Sequence, residues 1–172
     1  MLTKRLITAA ILLPIVVLVT LLLDEMLFRI ILALVIAVAG WEYCSLISIK
    51  QPVFRVLYVF ALTIIAFIFT SINAWLMPVI IASSAWWLLN ACWVFCYPKF
   101  TSLWHGSHGV RLLNGLFIFV PMFLALAALQ KNNSELVLLL LALIWSADSG
   151  AYFAGKAFGS NKLCPRVSPG KT

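Results

Sequence analysis

The chain has 172 residues, of which 65% are hydrophobic and only 10% are charged. Soluble domains are about 45–50% apolar and about 25% charged, so this composition excludes an ordinary soluble protein and predicts an integral membrane protein. The apolar runs are long and continuous rather than alternating, which predicts membrane-spanning helices and not a barrel. The net charge of +7 does not indicate nucleic-acid binding, because the basic residues are scattered at the ends of the apolar runs.

Six apolar segments follow one another along the chain. The first begins after Lys4 and Arg5, but it is longer than a signal-peptide core and no small-residue cleavage site follows it, so it is predicted to stay as a helix. The chain is therefore predicted to be one all-α polytopic bundle over residues 1–172, with a cytoplasmic basic tail at 159–172. The six predicted spans are residues 6–23, 26–49, 53–70, 74–97, 110–129 and 136–158.

The distribution of positive charge predicts the orientation of this bundle. With the N-terminus in the cytoplasm, Arg29 and Lys131 are the only lysine or arginine residues on the outer side. Cytoplasmic loops of membrane proteins carry an excess of lysine and arginine, so this asymmetry favours a cytoplasmic N-terminus and tail. The basic residues on the cytoplasmic side are then Lys4, Arg5, Lys50, Arg55, Lys99, Arg111, Lys156, Lys162, Arg166 and Lys171.

The sixth segment carries a carboxylate, Asp148, within an apolar run. A charged residue at the centre of a membrane helix costs about 2.5–3.5 kcal/mol on insertion scales, so such a residue indicates a functional site by default. Helical spacing puts Ser149, Tyr152 and Lys156 on one face and Asp148 on the adjacent one. An alternative is that Asp148 pairs with a lysine or hydroxyl group only to fix helix packing.

This face of the sixth helix has the chemistry of a phosphate site. A carboxylate can bind a hard cation such as Mg²⁺, and lysine side chains can bind phosphate oxygens. Four cations follow Asp148, and Gly150 and Gly155 leave room for a ligand or another backbone. These cations are Lys156, Lys162, Arg166 and Lys171.

Glu42 lies near the cytoplasmic end of the second predicted span. One interpretation is an interfacial glutamate paired with a loop cation. The other is that Glu42 supports the site around Asp148 from a neighbouring helix.

The four cysteines have no spacing that is typical of disulfides. Three lie in or beside apolar runs, where cysteine usually behaves as a small buried apolar side chain. We therefore expect the thiols to be buried and to form no disulfide framework. The four are Cys44, Cys92, Cys96 and Cys164.

Residues 148–172 resemble a known family. Their pattern is D-S-x-A-Y-x-x-G-K-x-F-G-x-x-K-L-x-P-x-V-S-P-G-K-T, and it closely resembles bacterial phosphatidate cytidylyltransferase, also called CDP-diacylglycerol synthase. The opening MLTKRLITAAILLPIV and the WEYCSL stretch at residues 41–46 are similar to the first two helices of that family. The resemblance implies a multi-pass enzyme of the inner membrane. Such an enzyme joins CTP to phosphatidic acid with Mg²⁺, giving CDP-diacylglycerol and pyrophosphate.

The resemblance also implies roles for individual residues. Asp148 is expected to be catalytic and to face the metal or the phosphates, and Lys156 is expected to neutralise phosphate charge. The expected substrate-binding residues are hydroxyl and ammonium side chains on the same helix face and in the tail. They are Ser149, Tyr152, Lys162, Ser168, Lys171 and Thr172.

The chain departs from the family in length. Family members are longer, and their acidic signature, with the main metal-binding aspartates, lies beyond the position of Thr172. We therefore expect an N-terminal portion of the family fold, arising from truncation, a frameshift or a split gene, with little catalysis alone. A homodimer or a second chain would complete the site. Two alternative functions are a CTP-dependent kinase of a polyprenol or phytol and a non-catalytic membrane bundle.

Overall fold

The computed structural model describes residues 2–96 and 107–159, without the side chains of residues 2–6 and 73. These parts of the chain form six α-helices and no strand, which confirms the predicted all-α class. A short 3₁₀ turn, Asn73–Trp75, precedes the fourth helix. The helices are α1 (Leu2–Leu22), α2 (Glu25–Leu46), α3 (Pro52–Ser71), α4 (Leu76–Phe95), α5 (His108–Asn132) and α6 (Ser134–Phe158).

Helices α2 to α6 are each long and apolar enough to cross a membrane. Helix α1 has 21 residues, and its apolar run over the described side chains, Ile7–Leu22, is shorter. The protein is therefore a helical membrane bundle, as the composition predicts. The gap between the last two helices is shorter than the predicted spans 110–129 and 136–158 leave, because only Asn133 separates α5 from α6. Its side chain caps α6 by accepting a hydrogen bond from the Glu135 amide at 2.9 Å.

Local sequence signals explain where the helices begin. Asp24 caps α2, since its carboxylate accepts a hydrogen bond from the Leu27 amide at 2.8 Å. Pro52 stands at the first position of α3, where a missing N–H costs nothing. Ser107 caps α5 by accepting from the Val110 amide.

Helix α5 is the centre of the bundle. It packs against α2, α3, α4 and α6, whereas α1 packs against α6. The buried core lies where α5 meets α2 and α3. From α5 it takes Phe119, Val120, Phe123, Leu124 and Ala127, from α2 Phe28, Leu32 and Ile36, from α3 Leu62 and Ala66, and from α6 Val137.

Two tyrosines join α2 and α3 to α5 at Gly115. The Tyr43 hydroxyl donates to the Arg111 carbonyl at 2.6 Å, and the Tyr58 hydroxyl donates to the Leu112 carbonyl at 2.7 Å. A Cβ on Gly115 would overlap the Tyr58 hydroxyl oxygen and lie 2.6 Å from Tyr43 Cε1. Only glycine therefore lets both rings reach the α5 backbone, and the three helices meet here.

A second glycine brings α2 close to α3. Gly40 is buried, and a Cβ at that position would lie 3.4 Å from Val59 Cγ2 and 3.7 Å from Leu62 Cδ1. Small residues let membrane helices approach closely, so van der Waals packing can hold them together.

Helix α4 is attached to α5 through a carbonyl that a proline leaves free. Pro121 lies inside α5 and has no N–H to bond the Phe117 carbonyl one turn earlier. The Ser83 hydroxyl and the Trp87 indole N–H of α4 both donate to this carbonyl, each at 3.3 Å. The proline is tolerated because a neighbouring helix supplies the missing donors.

The expectation of buried thiols is confirmed only for Cys44. Cys92 and Cys96 are exposed on α4, and Cys164 lies outside the described residues. The expectation was wrong for α4 because this helix packs mainly on α5 and turns most of its surface away from the protein. In a membrane that surface meets lipid, so an apolar residue need not be buried in protein.

We expect Gly115→Ala to destabilise the bundle by about 1–3 kcal/mol, the usual cost of overpacking a filled site. The added methyl group must displace Tyr43 or Tyr58 and break a hydrogen bond. Thermal unfolding of the purified protein in detergent measures the effect. The matched control is Gly150→Ala, because a Cβ at Gly150 meets nothing within 4 Å. The Gly115 variant should melt at a lower temperature than the control, and equal melting temperatures would contradict this account of the packing.

Candidate functional site

The polar side chains predicted to form a site lie on one uninterrupted helix. Asp148, Ser149, Tyr152 and Lys156 all belong to α6, which runs without a break from Ser134 to Phe158. At about 100° per residue, the four side chains leave the helix within an arc of about 100°. A single ligand beside α6 can therefore reach all four.

The half of α6 that carries these residues is largely exposed in the described part of the chain. Near its start α6 packs against α5, where Val137 is buried. Residues 142–159 are exposed except for the partly exposed Gly155. The predicted site is thus an open helix face, and large apolar side chains such as Phe153 and Phe158 are exposed beside it.

Asp148 has no hydrogen-bond or ion-pair partner among the described residues. Lys156, about two turns further towards the end of α6, likewise forms no ion pair within that part of the chain. No described residue pairs with Asp148, so the described contacts do not support the alternative in which Asp148 only fixes helix packing.

Gly150 leaves space beside this face. A Cβ at Gly150 would meet nothing within 4 Å, in contrast to the crowded surroundings of Gly115. The geometry fits the expectation that a ligand or another backbone can approach α6 at this point.

The described residues do not form a complete magnesium site. No three histidine, cysteine, aspartate or glutamate side chains converge in the parts of the chain that the structure covers. Asp148 supplies a single carboxylate, whereas Mg²⁺ requires six oxygen ligands and usually takes one or two carboxylates with waters and phosphates. A bound ion would need further ligands from elsewhere.

Glu42 is exposed near the end of α2 and forms no ion pair with any described cation. The nearby guanidinium of Arg55 donates instead to the Ile49 carbonyl at 2.7 Å and to the Ser45 hydroxyl at 3.0 Å. It also lies 5.4 Å from the centre of the Trp41 ring. The pairing of Glu42 with a loop cation is therefore not seen in this part of the chain, and its role as a support of the site stays a prediction.

The role of Arg111 was not predicted from the sequence, where the residue counts only as one positive charge. In the structure, Arg111 Nη1 donates to the Ile47 carbonyl at 3.1 Å, and Arg111 Nη2 lies 3.3 Å from His108 Nδ1. Arg111 and Arg55 thus satisfy backbone carbonyls beyond the end of α2. The only sequence signal for this role was the position of each arginine in the first turn of a helix that follows a loop.

The rest of the predicted site falls on the end of the chain. The residues expected to bind phosphate or nucleotide there lie outside the described residues, and their roles stay predictions. They are Lys162, Ser168, Lys171 and Thr172, together with Arg166.

Comparison with known proteins gives relatives along the whole chain. The phosphatidate cytidylyltransferase of Pseudomonas aeruginosa is 35% identical over 174 residues, which cover 100% of this chain and 64% of that protein. The phosphatidate cytidylyltransferase of Haemophilus influenzae is 30% identical over 191 residues, covering 100% of this chain and 66% of that protein. A Bacillus subtilis protein of the same name is 42% identical over 50 residues, covering 29% of this chain and 19% of that protein.

The chain thus spans slightly less than two thirds of the length of the first two relatives. No solved structure matches it. The sequence model of the cytidylyltransferase family matches residues 3–172, which include every helix described above and the polar face of α6. The chain therefore belongs to the cytidylyltransferase family.

Proposed function

We propose that the protein transfers CMP from CTP to phosphatidic acid in phospholipid synthesis, giving CDP-diacylglycerol and pyrophosphate. The observation that carries the proposal is the match of the whole chain to proteins named phosphatidate cytidylyltransferase. We propose the exposed polar face of α6 as the site of this activity.

The reaction joins a lipid phosphate to a nucleotide. A phosphate oxygen of phosphatidic acid attacks the α-phosphorus of CTP, and the bond from that phosphorus to the bridging oxygen of the β-phosphate breaks. Pyrophosphate takes the electron pair and leaves. Both reactants are negatively charged, so catalysis depends on holding them in line and on neutralising charge.

The described face of α6 suits this task. Lys156 can neutralise phosphate charge, and the hydroxyl groups of Ser149 and Tyr152 can donate hydrogen bonds to phosphate oxygens. All three side chains are exposed, so a lipid headgroup and a nucleotide can both reach them. In the proposal, the tail adds further phosphate and nucleotide contacts through Lys162, Ser168, Lys171 and Thr172.

Asp148 is proposed to hold Mg²⁺ as one of several ligands. When bound, the ion would neutralise part of the phosphate charge. The other ligands are proposed to come from outside the described residues, from the rest of the family fold, a second copy of the chain or a second polypeptide.

The proposed membrane is the inner membrane of a bacterium, with the polar face of α6 towards the cytoplasm. The described cations fit the two sides that the charge distribution predicts. Arg29 and Lys131 lie at one end of the bundle beside Glu25, and Arg55 and Arg111 lie at the other end beside the end of α2. CTP is a cytoplasmic nucleotide, so this orientation brings it to Asp148.

Substitution of Asp148 by Asn should lower the rate of CDP-diacylglycerol formation by about 100-fold or more, the usual loss when one charge-stabilising group is removed. The assay uses a chimera in which this chain replaces the matching part of the Pseudomonas aeruginosa relative. Glu135→Gln is the matched control, because it removes a carboxylate from the first turn of the same helix. Equal activity of the Asp148 variant and the control, at equal expression, would contradict the assignment.

The position of the labelled phosphate in the lipid product tests the reaction type. With CTP labelled at the α-phosphate, the chimera should transfer label to phosphatidic acid, because CMP is transferred. With CTP labelled at the γ-phosphate, the lipid should stay unlabelled. Label from the γ-phosphate would identify a lipid kinase instead, and no transfer from either position would favour a non-catalytic bundle.

The 172-residue chain by itself should form no CDP-diacylglycerol from CTP, Mg²⁺ and phosphatidic acid. The reason is that its described part supplies one carboxylate to the proposed site, Asp148, and no group of three metal-binding side chains. The measurement is product formation by the purified polypeptide in lipid vesicles, with the chimera as the positive control. Robust turnover by the polypeptide alone would show that it holds a complete site.

A further inference from the structure

A cavity of about 260 Å³ lies at the end of the bundle where α2 begins and α5 ends. Its walls come from α2, α3, α4 and α5, and its accessible apolar side chains are Phe69, Ile72 and Leu76. Two cations, Arg29 and Lys131, also line it. The cavity thus combines an apolar wall with positive charge at the boundary of a membrane-spanning bundle.

The positive charge at this cavity is only partly compensated. Arg29 and Lys131 both pair with one carboxylate oxygen of Glu25, and the Lys131 contact is 3.4 Å long. This end of the bundle also carries Asp24, which caps α2, and Glu135, in the first turn of α6. None of its three acids lines the cavity, whereas Arg29 and Lys131 both do.

The guanidinium of Arg29 also has an unused donor. Its side chain is only 17% exposed, and its Nε is buried without a hydrogen-bond partner among the described residues. A buried donor without an acceptor is costly, and a guanidinium binds phosphate oxygens through two parallel donors. Arg29 is therefore poised to bind an anion that the described residues do not supply.

We propose that this cavity binds an anionic phospholipid that is not the substrate. Its phosphate would lie against Arg29 and Lys131, and an acyl chain would cover Phe69, Ile72 and Leu76. A free phosphate ion would leave this apolar wall without a partner. A lipid matches both the charge and the wall.

This lipid site is separate from the polar face of α6. Asp148 follows the start of α6 by 14 residues, which is about 21 Å along the helix axis at 1.5 Å per residue. The cavity lies at the opposite end, beside Lys131 and Asn132, where α6 begins. A lipid bound there would tie the ends of α2, α3, α4 and α5 together, and its binding does not depend on the proposed enzymatic reaction.

The test measures lipid binding to the purified, delipidated chain in a neutral detergent by native mass spectrometry. Phosphatidylglycerol should bind one to one, at least about tenfold more tightly than phosphatidylcholine with the same acyl chains, because a charge-assisted contact is lost with the neutral headgroup. Inorganic phosphate should not bind. Equal binding of the two lipids would overturn the proposal, and so would phosphate binding that depends on Arg29, since it would identify a site for a free anion.

Three variants locate the binding. Arg29→Gln and Lys131→Gln should each weaken phosphatidylglycerol binding about tenfold. Arg29→Lys keeps the charge but removes the Nε donor, so its affinity for phosphatidylglycerol should be intermediate between that of these two variants and that of the unchanged chain. Lys131→Gln keeps the pair between Arg29 and Glu25, and its side chain is 50% exposed, so it should fold normally. Arg55→Gln at the opposite end is the control and should bind normally. Unchanged affinity in the Lys131 variant would overturn the proposal.

Discussion

The bundle depends on the close approach of three helices at Gly115. Tyr43 from α2 and Tyr58 from α3 hydrogen-bond backbone carbonyls of α5, and both rings occupy space that any other residue at position 115 would fill. Lipid tails are as apolar as the helices, so the hydrophobic effect does little to hold membrane helices together. Tight packing and interhelical hydrogen bonds must do so instead. Interhelical hydrogen bonds also attach α4 to α5, because α4 donates two of them to the Phe117 carbonyl that Pro121 leaves free.

The central place of α5 decides how α6 is presented. Helix α6 begins directly after α5 and packs against it near Val137, whereas most side chains of its second half are exposed among the described residues. A carboxylate and a lysine on that half would be costly to place in lipid. They are compatible with water, a charged ligand or another protein surface. The open face around Asp148 is thus what a site for charged substrates at a membrane boundary requires, and it is also where the described chain offers the fewest partners.

The cations of this chain do different things at its two ends. Arg55 and Arg111 donate to carbonyls after the end of α2, where Ser48 takes a positive φ of 64° and the helix cannot continue. They therefore stabilise the backbone and are not free to bind a substrate through those donors. Arg29 and Lys131 instead share a single carboxylate beside a cavity. The positions of positive charge in the sequence assign these four cations to the correct ends of the bundle, but they do not distinguish the different roles of the cations.

The sequence by itself determined the six helices, since backbone groups in lipid must bond within their own segment and each long apolar run can only be a helix. It also singled out Asp148, because an acid in such a run is expensive, and residues 148–172 carried the family resemblance. Only the tertiary structure decided that α5 is central, that Gly115 is the crowded glycine and Gly150 the open one, and that Cys92 and Cys96 are exposed. The physical reason is that lipid-facing and protein-facing surfaces are equally apolar, so hydrophobicity does not distinguish them. Contacts such as Tyr43 with Arg111, or Glu25 with Lys131, join residues far apart in the sequence, and no local pattern predicts them.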